Sequence, residues 1–218
     1  MTKATATANH RRVEGQDSRE AILAVALELF TKRGYDGTSI DDIRQAAGFR
    51  SKASLYTHFK SKEDVSEALT TRILGQMEEA ILTAHRNAAD EPMAQFLAGV
   101  QTYIHWSLSH RQEYAFRFIR SQQERMLTGK YDYQEKRPSP IYPMMLTIIG
   151  QLRQQYPVRQ IADTALFSML MGAISRATID RDSFGDISIS EQSGQLLEIC
   201  LGIMFSEPVQ IPEQKRHQ

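Results

Sequence analysis

The sequence predicts an all-α protein of about nine helices, an N-terminal three-helix bundle followed by a larger helical domain. Apolar residues recur at helical spacing from residue 18 almost to the end, and strand-like alternation is scarce. Early in the chain, Ser and Asp starts and Gly stops cut that pattern into short pieces.

Taken in order, residues 1–16 are expected to be a disordered tail, and the first helix to start at Asp17. Its carboxylate caps the helix while Glu20 sits three residues on. Ile22, Ala26, Leu29 and Phe30 then share one face, and Gly34 supplies the left-handed residue that ends it. A second, short helix follows Ser39, with Asp42 as its box partner, buries Ile40, Ile43 and Ala47, and stops at Gly48. A third spans Ser51 to Phe59, anchored by Leu55 and Phe59. The fourth starts at Ser61 with Asp64, carries Val65, Leu69, Ile73, Met77 and Ile81 at i+4 spacing, and is long enough to connect two packed units. The boundary between an N-terminal domain (17–65) and a C-terminal one (66–207) is therefore placed inside that helix.

Beyond it, Glu91-Pro92 opens a helix through Phe96, Val100, Tyr103 and Ile104, and another carries Tyr114, Phe118 and Ile119. Gly129, Pro138 and Pro140 mark 128–140 as a loop. Helical pattern resumes at Ile141 and closes at Pro157. Ala162, Ala165, Leu166, Met169, Leu170, Ala173, Ile174 and Ala177 form a sustained apolar seam. Ser188 and Glu191 cap a last helix whose broad face holds Leu196, Leu197, Cys200, Leu201, Ile203 and Met204. The tail from 208 to 218 is polar and expected to fray.

Composition narrows the function. Of 218 residues, 41% are hydrophobic, which is enough for a real core. No apolar run approaches the ~20 residues needed to span a bilayer. The first residues lack the apolar stretch of a secretory signal, and one cysteine forms no internal disulfide, so the cytoplasm is the expected compartment. Net charge is zero, with 11 Lys+Arg against 9 Asp+Glu through Asp64. A nucleic-acid partner would therefore have to be held by a few placed contacts, not by bulk charge.

Two short helices joined by a tight, Gly-containing turn outline a helix-turn-helix, whose second helix enters the major groove. With Leu55 and Phe59 facing inward, Lys52, Ala53, Ser54, Thr57, and also Tyr56 and His58, are left outward. Lys62 at the start of the next helix is placed to neutralise a phosphate. The run from Ser18 to Val65 resembles the TetR (tetracycline repressor) family. The matching pieces are the Ile22–Phe30 face, RGYDGTSIDDI, AAGFRSKASLYTHF and KSKEDV. The resemblance implies phosphate contacts from Thr38, Ser39, Tyr56, His58 and Lys62. Lys52, Ser54 and Thr57 are then the base-reading positions, with Ala53 and Arg50 beside them. One departure stands out: the turn from Gly48 to Leu55 is one residue longer than the common spacing, which leaves the aim of Arg50 and Lys52 open. The bland reading of Ser51–Phe59 is an ordinary surface helix, and Arg11 and Arg12 are either a minor-groove arm or a solvated tail.

The resemblance further implies a homodimer with operator DNA and a small-molecule effector as partners, a four-helix dimer interface, and a repressor released by its ligand. The expected interface residues are Ala162, Leu166, Met169, Leu170, Ala173, Leu197, Cys200, Leu201 and Met204; the alternative is that this seam is buried within one subunit. Phe96, Tyr103, Trp106, Phe118, Met145 and Phe167 are candidate lining of an apolar effector cavity, with Arg117 (and also His105 and Arg120) as polar candidates. Met126 and Met144 belong to the same pool of large side chains, most of them expected in the core. No metal site, cofactor motif, P-loop or nucleophile elbow is legible. Two rivals stay open: an enzyme with its site in the C-terminal helices, and a helical protein-interaction adaptor.

Overall fold

A computed structural model describes residues 3–129 and 138–210, with side chains from residue 17 onward except 119, 124 and 181. Among the described residues there are nine α-helices: α1 Lys3–Arg33, α2 Ile40–Ala46, α3 Lys52–Tyr56, α4 Lys62–Asn87, α5 Pro92–Ser109, α6 Arg111–Thr128, α7 Ile141–Gln155, α8 Asp163–Ile179 and α9 Ile189–Met204. A 3-10 turn, Arg181–Phe184, precedes α9, and the extended pairing among these residues is one isolated bridge between Val158 and Phe205. The expected all-α class is what the chain adopts. It forms two compact units, Met1–Leu74 with Ala115–Arg117, and Gly75–Tyr114 with Phe118–Gln218, so the division falls within α4.

In the first unit α1 begins at Lys3, not at Asp17. An alanine-containing, proline-free stretch lets the helix run through Asp17, where no backbone N–H is left for a cap to satisfy. Glu20 is accordingly no box partner; its carboxylate pairs with Arg72 of α4 at 2.7 Å. The end of α1 is as expected, since Gly34 adopts φ +75°. Ile22, Leu23, Ala26, Leu27 and Phe30 are buried with Ile43, Leu55, Phe59, Val65, Leu69 and Ile73. Each short element therefore contributes one or two anchors to a core that α1 and α4 mainly supply.

In the second unit α5 is the central helix, packed against α7, α8 and α9. Glu91 accepts from the N–H groups of Met93 and Ala94 at 3.0 and 2.8 Å, and Pro92 sits where no donor is needed. The Ser188–Glu191 capping box on α9 forms as expected. At the other end of α9, Arg159 donates to the Gly202 carbonyl at 3.2 and 3.0 Å, a cation on the negative end of the helix. The core joins Met93, Phe96, Leu97, Val100 and Ile104 to Met145, Ile149, Leu152, Leu166, Leu170, Ile174, Leu196, Cys200 and Met204. Four residues expected at a dimer interface, Leu166, Leu170, Cys200 and Met204, are thus interior to their own chain. The exposed sides of α8 and α9 carry Met169 and Ile199 instead. Helical spacing marks both sides of the seam alike, and only packing tells them apart. Met126 is a second correction, being 86% exposed. Most of the expected 128–140 loop, and the last eight residues of the expected tail, lie outside the described residues.

Burial pushes the Cys200 thiol up to about 12, which suppresses the reactive thiolate. Ellman's reagent is expected to leave the native protein unlabelled and to titrate one thiol per chain in denaturant. Rapid labelling of the native state would show that this part of the core opens. Leu170→Ala should lower unfolding stability by about 2–5 kcal/mol in a denaturant melt, the usual loss for a fully buried Leu.

Candidate nucleic-acid interface

The α2–turn–α3 segment is built from local signals. Ser39 caps α2: its Oγ accepts from the Asp42 N–H at 3.1 Å, and Asp42 accepts from the Ser39 N–H at 2.8 Å. Ser39 and its box stay exposed. Thr38, expected beside it at a phosphate, is instead 1% exposed. Its Oγ1 donates to the Gly34 carbonyl at 2.9 Å and its N–H to Tyr35 at 3.2 Å. It closes the turn after α1 and has no face for a ligand.

The turn between α2 and α3 is closed by contacts of its own. Gly48 takes φ +77°, and the Phe49 N–H donates back to the Arg44 carbonyl at 3.0 Å. Arg44 pairs with Asp41 at 2.7 Å and donates to the Phe49 carbonyl, while the Phe49 ring meets His58 edge-on at 5.7 Å. The extra residue is therefore absorbed by a guanidinium bridge from α2, leaving Arg50 exposed and Lys52 as the first residue of α3. Arg44, then Gln45, hold the Asp41 carboxyl below its ordinary range, with a smaller contribution from the charge of Lys52.

α3 is shorter than expected, five residues capped by Ser51, with turn-like hydrogen bonds carrying the chain on to Phe59. Leu55 and Phe59 are buried as anticipated. The Arg19 guanidinium lies 4.1 Å from the Phe59 ring centroid and donates to the His58 carbonyl at 3.1 Å, which stops further winding. Lys52, Ala53, Tyr56 and Thr57 are exposed; Ser54 and His58 are half-buried. Lys62 donates to the Tyr35 carbonyl at 2.9 Å and sits 4.1 Å over the Tyr35 ring, whose hydroxyl donates to Glu63. An ammonium has three N–H donors, so this tie orients Lys62 and leaves it able to take a second partner. Arg19, Tyr35 and Arg44 are the residues that periodicity missed. Tyr35 was visible inside RGYDG, but nothing in the spacing marks Arg19.

These features have relatives. Residues 22–69 match the family model described as bacterial regulatory proteins, tetR family. The likeness to that family lies in residues 22–69, the stretch that holds α2, the turn and α3. The biofilm operon icaADBC negative transcriptional regulator IcaR of Staphylococcus aureus (strain Newman) is 45% identical over 49 residues, 22% of this chain and 26% of its own. The chain thus spans about a quarter of that relative's length. In fold, the likeness extends along most of the chain. A tetR-family regulatory protein from Rhodococcus RHA1 superposes with TM-score 0.72 at 15% identity, over 88% of this chain and 98% of its own. AibR, in a complex with isovaleryl coenzyme A and operator DNA, superposes with TM-score 0.69 at 22% identity, over 84% and 97%. At those identities the likeness speaks for fold alone.

In the second unit Phe96, Met145, Tyr103 and Phe167 belong to one core, and Tyr103 and Phe118 both pack on Tyr114, at 6.3 and 6.1 Å. Phe96 and Met145 are core, Phe96 against Phe205 at 6.3 Å; Phe167 meets Tyr142 at 5.3 Å; Trp106 stacks on His110 at 4.8 Å. Arg117 groups with the first unit, and His105 is exposed. Inward aromatic positions on different helices look alike in sequence, whichever part of the interior they enter. The candidate Tyr103 joins a set of hydroxyls whose other members sequence reading did not single out as lining. Tyr103 donates to Tyr114 at 3.3 Å, Tyr114 bonds Ser175, and Thr178 donates to Ile174 while lying 3.2 Å from Ser107. Tyr114, Ser107, Ser175 and Thr178 are buried, and nearby Gln192 is fully buried too. Single Ser and Thr residues in a helical pattern carry no signal of this kind.

Replacing Ser39 by Ala removes the α2 cap and should cost about 1 kcal/mol of stability. The Asp42 carboxyl is held below its ordinary range, first by the Ser39 hydroxyl and then by the Ser39 N–H. A carboxyl lowered in the fold contributes stability above its unfolded value, and that contribution is lost as pH falls through the folded one. Thermal melts should therefore drop more steeply below about pH 4 for the parent than for Asp42→Asn.

Proposed function

We propose that the chain is a ligand-responsive transcriptional regulator: a cytoplasmic homodimer that represses by binding operator DNA and is released by a small molecule. The observation that carries this reading is the outer side of α3, exposed along Lys52, Ala53, Tyr56 and Thr57 while Leu55 and Phe59 hold it from behind. That arrangement suits insertion into a major groove. Ser39, Arg50, Tyr56, His58 and Lys62 flank it as backbone contacts, and Thr38 is not among them. The negative regulator IcaR shares this segment, which favours repression, and AibR, of the same fold, takes both an acyl-CoA and operator DNA.

The dimer uses the outward sides of α8 and α9. Met169 is 58% and Ile199 46% exposed there, with Ile161 and Ile179 close by in sequence and exposed Ala162, Gly172, Gly194 and Gly202 between them. Large apolar side chains interleaved with small ones on two adjacent helices suit a second copy of the same surface. Ala173, Leu197 and Leu201 are half-buried at its border. Two heads joined this way address half-sites about 34–36 Å apart or at a related spacing. The effector is a largely apolar molecule with a neutral polar group, recognised by the Tyr103–Tyr114–Ser175 hydroxyls. By linkage, effector and DNA weaken each other equally, typically by ~1–3 kcal/mol.

Fluorescence anisotropy with a duplex from upstream of the gene tests this directly. Binding should weaken steeply with salt, by about one log unit per log unit of salt for each phosphate contact. Met169→Glu should shift the protein to monomer in light scattering and lose at least about tenfold in operator affinity, because two linked heads gain from effective concentration. Absence of any salt-dependent, sequence-selective binding would overturn the regulator reading. Turnover of a substrate without DNA would favour an enzyme, and capture of a protein partner without DNA an adaptor.

A further inference from the structure

Resting on the reading that α3 lies in the major groove, the hydrogen bonds within α3 decide what it can read there. Three Ser and Thr residues lie on or beside it, each with one hydroxyl proton to donate, and Tyr56 adds an exposed phenol, assigned above to the DNA backbone. Ser54 Oγ donates to the Ser51 carbonyl at 2.8 Å, and Thr57 Oγ1 donates to the Ser54 carbonyl at 2.7 Å. Ser51 Oγ accepts from the Ser54 N–H at 3.2 Å and lies 2.9 Å from Ser54 Oγ, where its own proton goes. The Ser and Thr hydroxyls of this segment are thus bonded within it, which disfavours them as donors to the acceptor edge of guanine or adenine.

Two kinds of group remain. One is the exposed ammonium of Lys52, at the N-terminal end of α3, the end a recognition helix brings to the bases. The other is methyl. Ala53 is exposed, and exposed Thr57 has its hydroxyl turned back on the Ser54 carbonyl, which leaves its methyl as the group free for a base contact. Residues four apart share a helix face with Cβ atoms about 5–6 Å apart. Base pairs rise ~3.4 Å along a strand, so two such methyls meet bases one or two steps apart. In the major groove a methyl finds its match in the C5-methyl of thymine, and a lysine finds its match in O6 and N7 of guanine.

We infer that this chain reads its half-site through thymine methyls, packed against Ala53 and Thr57, beside one guanine held by Lys52. Ser51 and Ser54 shape the helix without reading a base. Specificity of this kind depends on apolar contact and is insensitive to salt, while the flanking phosphate contacts carry the salt dependence.

The test begins with selection of bound duplexes from a random pool by the full-length protein. The selected half-sites are then remade with thymine replaced by uracil, one position at a time, which removes a methyl and nothing else. One or two positions should each weaken binding about fourfold, the worth of one buried methyl, with an unchanged salt slope. In Thr57→Ser, which keeps the hydroxyl and loses the protein methyl, one of those uracil effects should vanish. Ala53→Gly should remove the other, and 7-deazaguanine should weaken the parent but not Lys52→Ala. Tight, selective binding that is indifferent to every uracil overturns the inference and leaves the regulator reading standing. Selected half-sites without thymine do the same. Failure to select any sequence overturns both.

Discussion

A helix of five residues cannot hold itself in water, since isolated helices much shorter than about 12–15 residues are marginal even in favourable sequences. Everything α3 offers to a partner therefore depends on what holds it from behind. Leu55 and Phe59 enter the core of the first unit, and Arg19 lies across the Phe59 ring while taking the His58 carbonyl. That guanidinium serves two ends at once: it covers the aromatic face and satisfies a carbonyl that helix continuation would otherwise claim. α3 is short because its last turn is handed to α1.

The same logic governs the turn before it. An added residue in a helix-turn-helix would normally loosen the relation between its two helices. Here Arg44 ties Asp41 to the Phe49 carbonyl, and the Phe49 ring closes on His58. The turn is longer yet bounded on both sides. Arg50 is set outside this lock and Lys52 just past it, so the two cations nearest α3 have different freedom.

The second unit shows how one pattern serves two purposes. Along α8, Leu166, Leu170 and Ile174 complete the core while Met169, at the flank of that face, is exposed. Burial of the first group is what rigidifies the helix that presents the second. Within that core, Tyr114, Ser175, Ser107 and Thr178 satisfy one another, as buried hydroxyls must. These hydroxyls form a polar region within the largely apolar interior of the second unit.

Local signals alone settled the all-α class, the box at Ser39–Asp42, the stops at Gly34 and Gly48, and the inward pair Leu55 and Phe59. Caps, left-handed glycines and i,i+4 anchors act over a few residues, so a single sequence displays them. Tertiary structure decided the rest: that Thr38 is sealed inside its turn, that Asp17 starts nothing, that Lys62 is tied to Tyr35, and that half of the expected dimer seam is core. Some of these outcomes turn on distant partners, Tyr35 for Lys62 at 27 residues and Arg72 for Glu20 at 52, and others on burial. Spacing along one helix shows which residues share a side, but not what that side meets.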